Sequence, residues 1–142
     1  MSKLIKQLRR HEGVRSHVYV CPAGYETIGV GRNIAESGLG LSEDEIDYLL
    51  ENDIKRCKQE LIALSWFTDL DPVRQDAMVN LCFNLGMTRL MTFKKALAAM
   101  AIGDYSTAAD EFMDSKWATQ VGSRADEVTE MVRTGRYGEG YA

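Results

Sequence analysis

The stretch EGVRSHVYVCPAGYETIGVGR, residues Glu12 to Arg32, decides the fold. His17-Val18-Tyr19-Val20 alternates as a half-buried strand does. Cys21-Pro22-Ala23-Gly24 is turn chemistry, with proline presetting one φ and glycine free to take a positive one. Tyr25 to Val30 is a second extended run, rich in β-branched residues and closed by Gly29 and Gly31. The spacing predicts an antiparallel hairpin that folds Cys21 and Thr27 back toward the residue that opens the stretch, Glu12. One acid, one thiol and one hydroxyl are then available to line a single groove.

Upstream, Leu4, Ile5 and Leu8 make one apolar helical stripe over residues 3–11, and Gly13 reads as the stop. Glu12 therefore closes a helix, where the macrodipole disfavours a carboxylate. An acid there needs a compensating cation or a raised pKa. Downstream, Asn33 to Leu41 is irregular or a third short strand because of Gly38 and Gly40. Ser42 and Glu45 match the capping-box spacing. From there Ile46, Leu49, Leu50, Ile54, Cys57 and Leu61 carry a helical stripe for about five turns. Asp71-Pro72 is a strong helix start, with Asp71 as N-cap and Pro72 in the first turn. The helix it opens is nearly apolar throughout and ends at Gly86, which makes it central to its lobe. Thr92 is expected to cap a helix ending near Ile102, and Tyr105 to about Met113 forms another. Trp66 and Trp117 are core anchors, Trp117 in a short connection. Ser123 is expected to cap a last helix that Gly135 ends, and the glycine-rich tail from Arg136 to Ala142 is expected to fray. The class is α+β, a small N-terminal antiparallel sheet followed by helices.

The 142 residues suffice for one domain with a sizeable core and no metal or disulfide. A formal charge of −4 argues against nucleic acid as the main partner. Lys3, Lys6, Arg9 and Arg10 form one basic cluster, read as a solvated helix face rather than a binding patch. Cys21, Cys57 and Cys82 contain no C-x-x-C pair, and they fit reduced thiols of a cytoplasm. Cys57 and Cys82 fall in helical patterns as small core residues; Cys21 sits at a turn. His11 and His17 are too few and too far apart for a metal site, and no phosphate loop follows Gly29-Val30-Gly31. No secretory signal or membrane span is expected. With no surplus apolar face obvious, the chain reads as a monomer.

The opening stretch resembles the phage-type lysozyme family, the muramidase endolysins that cut the glycan strands of bacterial peptidoglycan. That family's pattern is an acid followed by glycine, then an aspartate or its replacement, then a threonine within T-I-G-x-G. Glu12-Gly13, Cys21 and Thr27-Ile28-Gly29-Val30-Gly31 stand at those spacings. Phe83-Asn84-Leu85-Gly86 resembles the family's aromatic-amide-x-glycine segment, and Ser115-Lys116-Trp117 and Ser123-Arg124 resemble its late elements. Two residues depart from the pattern. Cysteine replaces the usual aspartate at position 21, and Arg32 stands where the family usually has histidine.

The resemblance implies a lysozyme-like fold over residues 1–142: a small β lobe from about 13 to 41, a connecting helix from about 43 to 62, and a helical lobe from about 66 to 135 packed with helix 3–11, a cleft lying between lobes. It implies hydrolysis of the β-1,4 bonds between N-acetylmuramic acid and N-acetylglucosamine, by inversion, without cofactor or metal. It also implies an endolysin held in the host cytoplasm until a holin releases it to the wall, with no stable membrane insertion. Glu12 is then the general acid, which requires a raised pKa. Cys21 and Thr27 hold the attacking water, Cys21 as thiol or thiolate. Asn84 and Tyr19 become substrate contacts; the alternative for Asn84 is a helix-end amide serving the backbone. Arg124 becomes the ion-pairing partner of Glu12. Glu26, beside Thr27, points to the opposite face of the strand and ranks low. The competing reading is a peptidoglycan-binding module that lost turnover when Cys21 replaced the carboxylate, and a weaker one is hydrolysis of a related glycan such as chitin.

Overall fold

The computed structural model describes residues 2–141. The chain divides into two compact units, Met1–Leu49 and Leu50–Ala142.

The first unit begins with helix α1, Lys3–Glu12. The Ser2 hydroxyl accepts the Ile5 amide at 3.1 Å, which satisfies one of the free N–H groups of the first turn. Gly13, at φ 76°, ends the helix immediately after Glu12, as its position in the sequence requires. A three-stranded antiparallel sheet follows in the order β1 (Arg15–Val20), β2 (Glu26–Gly29), β3 (Arg32–Asn33). The first strand starts two residues before His17, with an irregularity in register between Arg15 and Tyr19. The Gly24 amide donates to the Cys21 carbonyl at 2.8 Å and the Cys21 amide to the Tyr25 carbonyl at 2.9 Å, so the Pro22-Ala23 turn closes tightly. That turn sets Tyr19 opposite Thr27. On the other edge, Thr27 faces Asn33 and Ile28 faces Arg32. Thr27 is buried and Glu26 exposed, the alternation expected of a one-sided sheet.

Helix α2, Glu43–Leu61, runs across the boundary between the units. Half of the capping box forms: Glu45 Oε1 accepts the Ser42 amide at 2.9 Å, while the Ser42 hydroxyl donates to Glu45 Oε1 at 2.7 Å and to Asp44 at 2.6 Å rather than accepting the Glu45 amide. The second unit is helical. A 3-10 turn at Phe67–Asp69 leads into α3 (Pro72–Leu85), then α4 (Met87–Leu90), α5 (Lys94–Ala101), α6 (Tyr105–Met113), α7 (Lys116–Val121) and α8 (Ser123–Thr134). Its core gathers Trp117, Phe112, Met78, Leu81, Leu90 and Val132, each essentially removed from solvent. Each such side chain contributes roughly 1.5–3 kcal/mol by burial. Two of these come from α3, which accounts for its nearly continuous apolar sequence. Phe93 and Phe112 add a tilted aromatic contact, 5.7 Å between centroids. Arg74 ties the two ends of this core: Nε donates to the Val132 carbonyl at 2.7 Å and Nη2 to the Arg133 carbonyl at 3.0 Å, where α8 runs out of internal donors.

Three local expectations are corrected. Trp117 belongs to a helix, α7, whose N-cap is Ser115; the Ser115 hydroxyl accepts the Ala118 amide at 3.2 Å. Ser123 is the first helical residue of α8, and Gly122, at φ 60°, takes the cap position without a side-chain bond. Thr92 does not cap α5, because its hydroxyl donates back to the Arg89 carbonyl at 2.6 Å and Phe93 precedes the helix instead. The tail is irregular and exposed through residue 141, and residue 142 lies outside the described residues. The Tyr137 hydroxyl donates to Asp76 at 2.5 Å.

Candidate active site

Glu12, Cys21 and Thr27 all belong to the unit Met1–Leu49. Glu12 is the last residue of α1, and its carboxylate lies directly over the backbone of Gly31. A methyl group built on Gly31 meets Glu12 Oε2 at 2.7 Å. Gly31 has φ 66° and joins β2 to β3. The turn after β2 thus reaches the end of the first helix, and the contact is made by a glycine that leaves room for the acid.

Cys21 is half-buried at the β1–β2 turn. Its sulfur lies over the turn backbone, where the Tyr25 amide first of all, and then the Ala23 amide, face it. These donors favour the thiolate over the thiol, so the pKa falls below that of a free cysteine despite the opposing effect of desolvation. Thr27 is buried, and its hydroxyl donates to the Tyr25 carbonyl at 2.8 Å. A hydroxyl has one proton. Once that proton is given to a carbonyl, Oγ1 presents lone pairs to whatever else approaches. The sulfur and the hydroxyl oxygen therefore form one contiguous polar pair, the first tending to negative charge and the second poised to accept.

Tyr19 pairs with Thr27 across the strands and carries the Arg15 guanidinium 5.0 Å from its ring centroid. The remaining nominated residues lie in the unit Leu50–Ala142. Asn84 accepts a 2.7 Å hydrogen bond from the indole N–H of the buried Trp117, which gives its carbonyl a structural task and leaves its NH2 group as the remaining polar part. Arg124 donates to Asn80 Oδ1 through Nε at 3.0 Å and through Nη2 at 2.8 Å. Asn80 was not singled out from sequence; it is one of three amides on α3, with Gln75 and Asn84. These two residues, with Ile54, Val79, Phe83 and Tyr137 among others, line a cavity of about 310 Å³ in the helical unit.

Arg32 has a defined place. Its Nη1 donates to Glu45 Oε1 at 2.8 Å and to the Gly40 carbonyl at 3.0 Å, and its Nη2 lies 2.7 Å from Glu45 Oε2. The Ser42 backbone amide, the Ser42 hydroxyl and then Arg32 hold the Glu45 carboxyl down at a pKa of about 2. Among the described residues no group of three or more His, Cys, Asp or Glu side chains is placed to hold a metal ion, and no helix is long and apolar enough to cross a membrane.

A small antiparallel sheet after a short helix, followed by a helical body, is the α+β architecture of the lysozyme-like proteins. The family model described as phage lysozyme matches residues 9–133, and the chain belongs to that family. It is 30% identical over 162 aligned residues to the pre-baseplate central spike protein Gp5 of Enterobacteria phage T4, an alignment covering 93% of this chain and 28% of the spike protein. It is 26% identical to probable T4-type lysozyme 1 of Dictyostelium discoideum, covering 95% of this chain and 96% of that one. An endolysin of Acyrthosiphon pisum secondary endosymbiont phage 1 is 33% identical, over 78% of this chain and 74% of that endolysin. The chain therefore spans little more than a quarter of the spike protein but nearly the whole of the Dictyostelium lysozyme.

Proposed function

We propose that this chain is a peptidoglycan muramidase of the endolysin type, hydrolysing the β-1,4 bond between N-acetylmuramic acid and N-acetylglucosamine with inversion. The observation that carries the reading is the neighbouring Cys21 sulfur and Thr27 hydroxyl in the hairpin whose second turn supports the Glu12 carboxyl. Glu12 donates its proton to the glycosidic oxygen as the bond to the anomeric carbon breaks. A water molecule attacks that carbon from the opposite face. Thr27 Oγ1, its own proton held by Tyr25, accepts a hydrogen bond from the water and aims it. The Cys21 thiolate takes the proton the water loses, so charge and atoms balance at the end of the step. Glu12 is solvent-exposed in the free protein. Tyr19 serves as a sugar contact. As a monomer, the protein accumulates in the host cytoplasm and reaches the wall once a holin has opened the inner membrane.

The test is loss of turbidity of permeabilised Gram-negative cells with wild type, Glu12→Gln and Cys21→Ser side by side. Wild type lyses, Glu12→Gln loses at least about 10²-fold in rate while keeping its fold, and Cys21→Ser is intermediate. A wild-type protein that sediments with walls but leaves turbidity unchanged supports a binding module instead. The anomer released first reports inversion or retention.

A further inference from the structure

Arg32 directly follows the glycine on which Glu12 rests. The turn that presents Gly31 is weakly held by the sheet alone. Strand β3 has two residues, and its pairing with β2 amounts to Thr27 opposite Asn33, Ile28 opposite Arg32, and one further bond from the Ile34 amide to the Glu26 carbonyl at 2.9 Å. The turn itself contains two glycines at positive φ, Gly29 at 69° and Gly31 at 66°, the most freely rotating backbone available. Something outside the sheet has to fix it.

We propose that Arg32 and Glu45 are a positioning pair, whose two-pronged ion pair locks the β2–β3 turn to the start of α2 and so holds Gly31 in place beneath the Glu12 carboxyl. The fork is geometrically complete, with contacts of 2.8 and 2.7 Å to the two carboxylate oxygens and a third, of 3.0 Å, to the Gly40 carbonyl. Such a planar arrangement fixes direction as well as distance, which an ammonium cannot do. The anchor is itself immobilised. Glu45 also accepts the Ser42 amide at the cap of a 19-residue helix, and the intervening loop is tied back by the Gly40 amide to the Asn33 carbonyl at 3.1 Å. Both side chains of the pair are about two-thirds covered, with 32% and 33% exposed. A partly exposed ion pair contributes little to global stability. Its effect falls on where the turn sits, and therefore on the acid.

The activity arm of this inference rests on the muramidase reading; the structural arm does not. Arg32→Ala, Arg32→Lys, Glu45→Gln and the double variant Arg32→Ala/Glu45→Gln are compared with wild type in the full chain. The readouts are kcat and KM on purified peptidoglycan and exchange of the Ile34 and Gly40 amides. Loss of the fork is expected to lower kcat about tenfold with KM within about twofold, because the acid is misplaced and the sugar contacts are kept. Arg32→Lys recovers only part of the rate. The double variant is no slower than either single one, since one lost contact is counted once. Amide exchange at Ile34 and Gly40 accelerates in each. Wild-type kcat in Arg32→Ala, or single effects that multiply in the double variant, overturns the proposal while leaving the muramidase reading intact. If wild type itself hydrolyses nothing, that reading fails, and the pair is judged by exchange alone: faster exchange at Ile34 supports it, unchanged exchange overturns it.

Discussion

Replacing Gly31 with alanine tests whether the acid is placed by an absent side chain. The new methyl group stands 2.7 Å from Glu12 Oε2, 3.1 Å from its Cδ and 3.2 Å from its Cγ. Ordinary contact begins at 3.4 Å, and 2.7 subtracted from 3.4 leaves about 0.7 Å by which the carboxylate oxygen has to withdraw. A 1 Å error in a reacting group can cost about 10²-fold, so a displacement of this size is expected to lower kcat roughly 10- to 100-fold. The substitution also forces a side chain onto a backbone at φ +66°, a cost of about 1–2 kcal/mol. Gly29 separates the two effects. It lies at φ +69° in the same turn, yet a methyl group there meets nothing within 4 Å. Both variants are therefore expected to lose similar stability, roughly 3–8 °C in Tm, while only Gly31→Ala loses turnover. The assay is release of reducing ends from purified peptidoglycan, per mole of folded protein, alongside thermal melts followed by circular dichroism. Equal rates for Gly29→Ala and Gly31→Ala refute the reasoning, because backbone strain would then account for everything.

Asn84→Ala strands the indole N–H of Trp117, a residue only 2% exposed, and is expected to cost about 1–3 kcal/mol in urea unfolding, whereas Asn84→Asp keeps the acceptor and most of the stability. Glu45 has a folded pKa of about 2 against an ordinary 4.5, so its contribution to stability is present above pH 4.5 and is lost as the pH falls toward 2. The difference in Tm between wild type and Glu45→Gln should accordingly shrink across that interval, and a difference independent of pH contradicts the assignment. Cys21, its pKa lowered by the Tyr25 amide first of all, is expected to alkylate with iodoacetamide at neutral pH faster than a free cysteine peptide. Cys57 and Cys82 are buried, with the Cys82 thiol pushed up to about 12 chiefly by desolvation, and should label only on unfolding. Mass spectrometry of the labelled peptides decides both points.

Features whose partners lie within four residues were legible in the sequence. Ser42 and Glu45, or Asp71 and Pro72, carry their structure in their spacing, because a capping bond needs only one turn of chain. Short helices were not. Trp117 sits in six residues and α4 in four, too few for a 3.6-residue period to declare itself. Ser123 drew attention as a cap because it is a serine before a helix, but the chain turns one residue earlier at Gly122, whose positive φ a side chain rarely adopts.

The site divides along the same line. Glu12, Cys21 and Thr27 were nominated by their intervals, and those intervals have physical meaning because a tight turn at Pro22-Ala23 fixes which residue of β2 stands near the sulfur. The charge state of Cys21 was left open, and its answer lies in backbone rather than side chains. The turn backbone, at Tyr25 first of all, favours the charged sulfur, a property of the turn's path that no residue letter states. Arg32 was marked only as an unusual letter at a histidine position. Its partner is thirteen residues away, across a loop folded by Asn33 and Gly40, so nothing local pointed to Glu45. The same holds for Gly31. The T-I-G-x-G pattern says that the backbone turns there, but not that the space left by the missing side chain is filled by a carboxylate. Glycine at that position therefore answers two demands, a left-handed φ and an unobstructed contact, and only a substitution that meets one and violates the other can tell which of them matters to turnover.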